Sequence, residues 1–557
     1  MNDSGNHKIR TGILLSATDI HKWQFVAIDN LLKSGIAELS LFYLKDLSDT
    51  ERQINHSFIF RLHQKTEGLV FGNYSDYLSN ISQDVLDKII SPVNLEISIN
   101  SGKVEISPEG CNKVKAVEPD LIINLSPVRV MGDILKIPRS GLWEYRVGNE
   151  KGHHAFPAGF IEVVTGNPVT DSALVLLNES GDEKTMLCNW AGQTYAFSTV
   201  VNRVNAFKRA AIILPRMVQG MYRYGNTFLR EITDTQADNP GAEEKIQEYR
   251  GSYLTDLKHL LLYSKIIIRK VFHNALFFTK TFNWFILIAK KGDGNWEKFL
   301  PDKNGIVKLV PPRDCFWADP FIMTRDRRHY IFVEELPYKS RKGHISVLEI
   351  DTSGKIVNSG IALERPYHLS YPFVFEFGGS VYMLPETGDN KTIELYKCTG
   401  FPYQWDFVMN LMEGVNAKDS TLFYHNGKWW LFTSINESGI KTDYSELSIF
   451  YAEDLFSKKW VPHPANPVVS DIRTARCAGK IFVENDIIYR PSQDGAVRYG
   501  RALNLHQVQK LTESEYSETL LKKAEPTDID SRYKGLHTLN IDGDFIALDA
   551  YTYRRRF

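Results

Sequence analysis

CFWADPFIMTRDRRHYIFVEEL, residues 315–336, begins with a Trp-Ala-Asp-Pro turn, passes through a dense run of strand-forming side chains and ends on paired glutamates. Two apolar runs around a polar break read as a β-hairpin with carboxylates at both of its ends. The fold turns on whether this unit recurs. DPFIMTRDRRHYIFVEE aligns with YPFVFEFGGSVYMLPET, DSTLFYHNGKWWLFTS, AGKIFVENDIIYRPSQD and a shorter fifth copy, HTLNIDGDFIALDAY. The period, roughly 50 to 60 residues, leaves room for two further strands in each unit, the content of a propeller blade. Five copies predict an all-β five-bladed propeller.

The strands of a hairpin run in opposite directions, so its first and last residues lie at one end. Those positions pair Asp319 with Glu334, Tyr371 with Glu386, Asp419 with Ser434, Ala478 with Gln493 and, approximately, His537 with Asp549. If these are the inner strands, the side chains ring one mouth of a channel. Crowded carboxylates among aromatic rings have separated pKa values, which suits acid/base work on a glycosidic bond. Arg476, Arg490, Gln493 and Asp494 are further channel candidates, since arginine suits carboxylate or phosphate contacts and equally a buried ion pair. His368 and His463, in loops beside prolines, read first as structural hydrogen-bonding groups.

Before residue 215 the pattern differs. Strand-like runs (TGILLSA, AELSLFYL, PDLIINLS, DSALVLLN) alternate with amphipathic helix candidates such as HKWQFVAIDNLLKSG, which predicts an open, mostly parallel α/β sheet. The chain therefore reads as multidomain: an α/β domain over 1–215, a helical linker over 216–281 and the propeller over 282–557. The polar stretch 233–252 is the best linker candidate. In 253–280, lysines and arginines interrupt the apolar residues too often for a bilayer span, which leaves a basic amphipathic helix that either packs between domains or lies on an anionic membrane surface.

A net charge of −1 over 557 residues provides no global field to recruit nucleic acid. The five cysteines show no zinc-site or disulfide spacing, so free thiols in a reducing compartment and no metal are expected. The amino-terminal stretch lacks a signal-peptide core, and the expectation is a cytoplasmic protein, possibly peripheral to the inner face of the membrane.

ADPF, GHISVLEI, YHLSYPFVFEFGGSVYMLPET, FPYQWDFVMNL, DSTLFYHNGKWWLFTS, WVPHPANPVV and RPSQDGAVRYG, in that order, resemble the N-terminal domain of glucosamine inositolphosphorylceramide transferase. That domain is related to the five-bladed propellers of the arabinanase, levansucrase and invertase group. The resemblance implies a glycan context, a nucleophile or base at Asp319 and an orienting aspartate at Asp419. The general-acid glutamate has no motif match, and rim geometry nominates Glu386 or Glu334. PDLIINLSP and the segment LKIPRSGLWEYRVGNEKGHHAFPAGFIEVVTGNPVTDSALVLLN resemble the formyltransferase fold. Where that family carries an Asn-x-His pair this chain has Glu144 and Arg146, and an arginine cannot shuttle a proton near neutral pH. His153, His154 and Asp182 are the remaining candidates of a degenerate site.

These readings converge on a carbohydrate-active protein that transfers or cleaves a glycosyl unit at the propeller mouth during assembly of a surface polysaccharide or glycolipid, with a carbohydrate or nucleotide-sugar substrate. Asp319 serves as base or nucleophile, Glu386 as acid and Asp419 as orienting group; Glu334 and His537 bind substrate, and Trp317, Tyr371, Trp429 and Trp430 stack on sugar rings. Two alternatives stand beside it: an amino-sugar N-formyltransferase using formyl-tetrahydrofolate, and a non-catalytic glycan-binding scaffold.

Overall fold

The computed structural model describes residues 7–17, 20–45, 76–100, 103–148, 158–225, 280–291, 305–440 and 444–555, with isolated positions between them. The chain is mostly β with few helices. It divides into two compact units, Met1–Lys270 with Ser438–Ile440, and Val271–Glu437 with Lys441–Phe557. His153, His154 and most of 253–280 fall outside the described residues. No helix among the described residues is long and apolar enough to cross a membrane, and all five cysteines are free.

The first unit is built on a seven-stranded sheet. Ile9–Ser16 lies within it, paired in parallel with Ala37–Leu44 on one side and with the middle strand, Leu121–Asn124, on the other. Val93–Leu95 and Leu142–Val147 extend it in parallel, and Val169–Leu177 and Glu183–Gln193 complete it as an antiparallel edge. Alternation along each strand divides the apolar residues between two cores. Ile13 and Leu15 join one with the helices Lys22–Ser34 and Thr199–Tyr224, where Trp23 stacks on Phe207 with ring centroids 4.4 Å apart. Leu14 faces the other, with Cys111 and Val114 of the helix Pro108–Lys115. Thr199–Tyr224 starts on Ser198, whose hydroxyl accepts from the Val201 N–H at 3.2 Å. It runs unbroken through Pro215, so the helix extends beyond the boundary expected at 215.

In the second unit each of the five sequence repeats forms a hairpin, and each hairpin belongs to its own antiparallel sheet. The sheet holding Leu539–Asp542 and Phe545–Arg555 takes its other strands, Lys280–Lys290 and Val307–Leu309, from the start of the unit. The remaining sheets follow in chain order and begin at Cys315, Ser370, Ala417 and Phe482. Apolar side chains between neighbouring sheets form the largest core among the described residues.

Backbones approach closely at Gly479. It sits at φ 135°, and a Cβ there would stand 1.9 Å from the Leu539 carbonyl oxygen. Because backbone cannot yield as a flexible side chain can, Gly479→Ala is expected to lower the unfolding free energy by ~3 kcal/mol. Gly427→Ala, at φ 76° with nothing within 4 Å of the new methyl, pays only the left-handed backbone cost of about 1 kcal/mol. Urea unfolding of both variants checks the contrast, and equal losses would refute the close-approach explanation.

Candidate functional site

The first strands of three sheets carry the same irregularity. Register shifts fall between Ala318 and Phe321, Ser370 and Phe373, and Lys418 and Thr421. In each, the inserted residue has positive φ: Asp319 at 50°, Tyr371 at 43° and Asp419 at 52°. A bulge of this kind re-aims a side chain, and a non-glycine residue held there stores strain that the surroundings must compensate. The bulge also corrects the expected pairing by one residue. Glu334 lies opposite Ala318, Glu386 opposite Ser370, and Ser434 opposite Lys418.

The re-aimed side chains meet in a buried hydrogen-bond network that draws on all five sheets. Asp549 Oδ1 accepts from the backbone N–H groups of His537 at 2.9 Å and Thr538 at 3.0 Å. Its Oδ2 accepts from the Asp319 N–H at 3.0 Å and lies 2.5 Å from His537 Nδ1. Asp319 in turn accepts from the Thr538 hydroxyl at 2.6 Å and the Tyr371 N–H at 3.2 Å. The Tyr371 hydroxyl accepts from the Gly479 N–H at 2.7 Å and lies 2.8 Å from the Thr421 hydroxyl. Asp419 is held by Arg476 and by Gln493 Nε2, the latter at 2.9 Å. One ligand atom from each of Asp319, His537 and Asp549 lies within 4.8 Å of the others. The arrangement is nevertheless a hydrogen-bonded clasp, because both Asp549 oxygens are taken up by N–H donors.

Above this network opens a cavity of about 260 Å³, lined by Trp284, Phe316, Ala318, Glu334, His368, Ser370, Glu386, Lys418, Arg476, Tyr499 and His537. Of the residues expected at the channel mouth, Glu334, Glu386, Arg476 and His537 reach the wall. Asp319, Asp419, Tyr371 and Gln493 do not line it and are engaged as described. Trp317 instead donates to Glu335 at 2.9 Å and packs against Ile322 and Ile331. Arg490 is in a buried ion pair with Glu518 at 2.5 Å, and Asp494 is held by Lys523 and Arg501 at 2.5 and 3.4 Å. Strand alternation accounts for Asp494, which follows Gln493 and so faces the other way.

The aromatic residues of the wall are Trp284, Phe316 and Tyr499; Trp429 and Trp430 belong to the core between sheets. Sequence reasoning missed Lys418, Trp284, Phe316 and Tyr499. A signal for Lys418 was present: Ala318, Ser370 and Lys418 occupy one position in their repeats, and all three line the cavity. His368, read as structural, also stands in the wall, whereas His463 does have a structural partner, the Thr512 carbonyl at 3.1 Å.

Burial pushes Asp319 up to about 7, with His537 opposing and Glu334 adding to the rise. For His537 burial disfavours the imidazolium, but Asp549 and Asp319 outweigh it and the value rises to about 9. Burial raises Glu386 as well, against the pull of Lys418.

In the first unit the described positions expected at a formyltransferase-like site are bound to neighbours. Glu144 accepts from Asn124 at 2.9 Å and Arg129 at 3.1 Å, and Arg146 donates to Glu183 at 2.7 Å. Asp182 sits in the exposed turn after Val169–Leu177, paired with Lys103 at 2.9 Å. These contacts are those of an ion network and of a surface turn.

Residues 308–548 match the family described as glucosamine inositolphosphorylceramide transferase 1, N-terminal. The chain is 35% identical over 242 residues to glucosamine inositolphosphorylceramide transferase 1 of Oryza sativa subsp. japonica, a match covering 42% of this chain and 32% of that protein. The chain thus spans about a third of the length of the curated relatives it matches. Similar solved structures include a family 117 glycoside hydrolase of Zobellia galactanivorans, at 13% identity and TM-score 0.31, covering 49% of this chain and 90% of that one. A glycinamide ribonucleotide transformylase 1 from Symbiobacterium toebii shows 12% identity and TM-score 0.26, covering 39% and 89% respectively.

The clasp makes stability depend on pH. A histidine whose folded value lies above its unfolded 6.5 contributes fully below 6.5 and loses that contribution as pH rises through about 9. Asp319 works oppositely: its cost accrues between 3.8 and about 7 and is constant above. Between pH 7 and 9 the histidine therefore governs, and most of ~3 kcal/mol is lost over that interval. Calorimetry should show the melting temperature of the second unit falling from pH 7 to 9, and His537→Gln should melt lower at pH 7 with the slope flattened. An unchanged slope would exclude His537 as the source.

Proposed function

We propose that the second unit is a five-bladed propeller and that its polar cavity transfers or cleaves a glycosyl unit in the assembly of a surface glycolipid or polysaccharide. The sheet formed from both ends of the unit and the hydrogen bonds linking the five sheets support the ring. One observation carries the chemistry: Glu334 and Glu386, at equivalent positions of neighbouring sheets, both face a cavity lined with aromatic residues. Each has one oxygen next to a partner, His368 at 3.3 Å from Glu334 and Lys418 on Glu386. The other oxygen of each has no hydrogen-bond partner among the described residues. Asp319 and Asp419 have no such vacancy, and the acid/base pair is accordingly assigned to the two glutamates.

In this mechanism Glu386, raised by burial, gives its proton to the oxygen leaving the anomeric carbon. Glu334 takes a proton from the incoming hydroxyl of an acceptor or of water. One C–O bond breaks as another forms, and the proton released equals the proton taken up. Lys418 then balances the carboxylate left on Glu386. The cavity lies below the ~300–1,000 Å³ of pockets for drug-sized ligands, which suits one sugar ring better than a whole nucleotide-sugar. The name of the rice relative supports a sugar of glycolipids as the substrate class.

A second reading, a glycan-binding module without turnover, is favoured by the extent of the match, since only about a third of the relatives' length is shared. Both are tested with the purified chain, a panel of nucleotide-activated amino sugars, lipid-linked acceptors and aryl glycosides, and mass spectrometry of the products. Glu386→Gln and Glu334→Gln should each lower turnover about 10²- to 10⁴-fold while calorimetric sugar binding persists. Undiminished turnover in both variants would sink the catalytic assignment. Wild-type binding with no product from any donor decides for the second reading.

A further inference from the structure

His368 stands in a loop before the strand Ser370–Phe377, and its ring is held on two sides. Nδ1 accepts from the Gly343 N–H at 2.9 Å, and Nε2 lies 3.3 Å from Glu334 Oε1. The Leu369 N–H donates back to the Gly343 carbonyl at 3.0 Å, so the two loops are clasped by backbone as well. Only glycine fits at 343: a Cβ there would lie 2.6 Å from the Leu369 carbonyl oxygen, 2.8 Å from His368 Cε1 and 3.0 Å from Glu334 Oε1. The adjoining Tyr367 is tied down through its hydroxyl, 2.7 and 2.9 Å from the two Glu394 oxygens. Lys342 Nζ donates to the Arg365 carbonyl at 2.8 Å and joins the same loops from the other side.

An imidazole nitrogen that accepts an N–H carries no proton of its own, and the proton of the neutral ring then resides on the other nitrogen. We propose that His368 is a positioning residue for Glu334, its Gly343-bound Nδ1 fixing the tautomer that donates Nε2–H to Glu334 Oε1 and leaves Oε2 as the oxygen presented to substrate. This rests on the assignment of Glu334 as base only for its kinetic consequence; the Gly343 hydrogen bond and the 3.3 Å approach of Nε2 to Glu334 are independent of it. Burial opposes the imidazolium and Glu334 favours it, with a raised net value. A second ring proton, however, would point at the Gly343 N–H, and that conflict holds the ring neutral while the clasp is intact. Glu386 and Lys418, the other charges acting on the ring, pull in opposite directions.

The test pairs kinetics with spectroscopy. Gln at 368 keeps an N–H donor near the position of Nε2, whereas Asn and Ala do not reach it. His368→Ala and His368→Asn should lower turnover about 10- to 100-fold with KM within about threefold, and His368→Gln should recover to within about fivefold of wild type. If Gln is as damaging as Ala, or Asn is harmless, the positioning role is wrong. In ¹⁵N-histidine-labelled full-length protein, the resonances lost in His368→Gln should show an unprotonated Nδ1 and a protonated Nε2 near neutral pH. The opposite tautomer overturns the proposal whether or not any sugar is turned over. Absence of turnover in wild type would instead count against the glycosyl chemistry and leave the spectroscopic result to decide the role of His368.

Discussion

A buried carboxylate must find donors or lose its charge, and the C-terminal unit is organised around meeting that demand at Asp549. Two backbone N–H groups and one imidazole come from Asp549's own sheet and the loop leading into it, and the Asp319 N–H comes from the next. Because that amide belongs to a residue of positive φ, the hydrogen bond also holds the bulge that re-aims Asp319. Asp319 then passes the same constraint to Tyr371, which passes it through its hydroxyl to Gly479 and Thr421. Strain at three bulges is thus compensated by one connected set of hydrogen bonds.

The network separates the acids into two tiers with different capacities. In the lower tier Asp319, Asp419 and Asp549 use both oxygens on donors and are fixed in place by them. In the upper tier Glu334 and Glu386 are held at one oxygen only, by partners that approach from the following sheet. The same repeat position recurs around the unit, but only two of its five occupants combine a carboxylate with an open side. That division makes the proposed chemistry a property of two glutamates among a larger set of acids.

Much of this was legible in the sequence, and what was not has physical causes. Recurrence of the 315–336 pattern located all five hairpins, and continuous apolar runs located four strands of the first unit's seven-stranded sheet, Ile9–Ser16, Ala37–Leu44, Leu121–Asn124 and Val169–Leu177. The bulges left no trace: such kinks usually advertise themselves with glycine, whereas here Asp319, Tyr371 and Asp419 occupy the left-handed region. One inserted residue moved the cavity wall from the expected positions to Ala318, Ser370 and Lys418. Trp284 escaped notice because its strand lies outside the repeats and enters the wall only through pairing with Phe545–Arg555.

The pairing of Lys280–Lys290 with Phe545–Arg555 also fixes a chronology. While the chain is emerging from a ribosome, the earlier strand waits through more than 250 residues for its neighbour, and His537 and Asp549 arrive last of the groups on which the clasp depends. Four sheets can condense before the fifth exists, yet the cavity floor cannot be satisfied until then. Contacts this distant in sequence are slow to form and leave partly folded intermediates exposed to aggregation. The second unit is in this respect completed only when its last strand has been made.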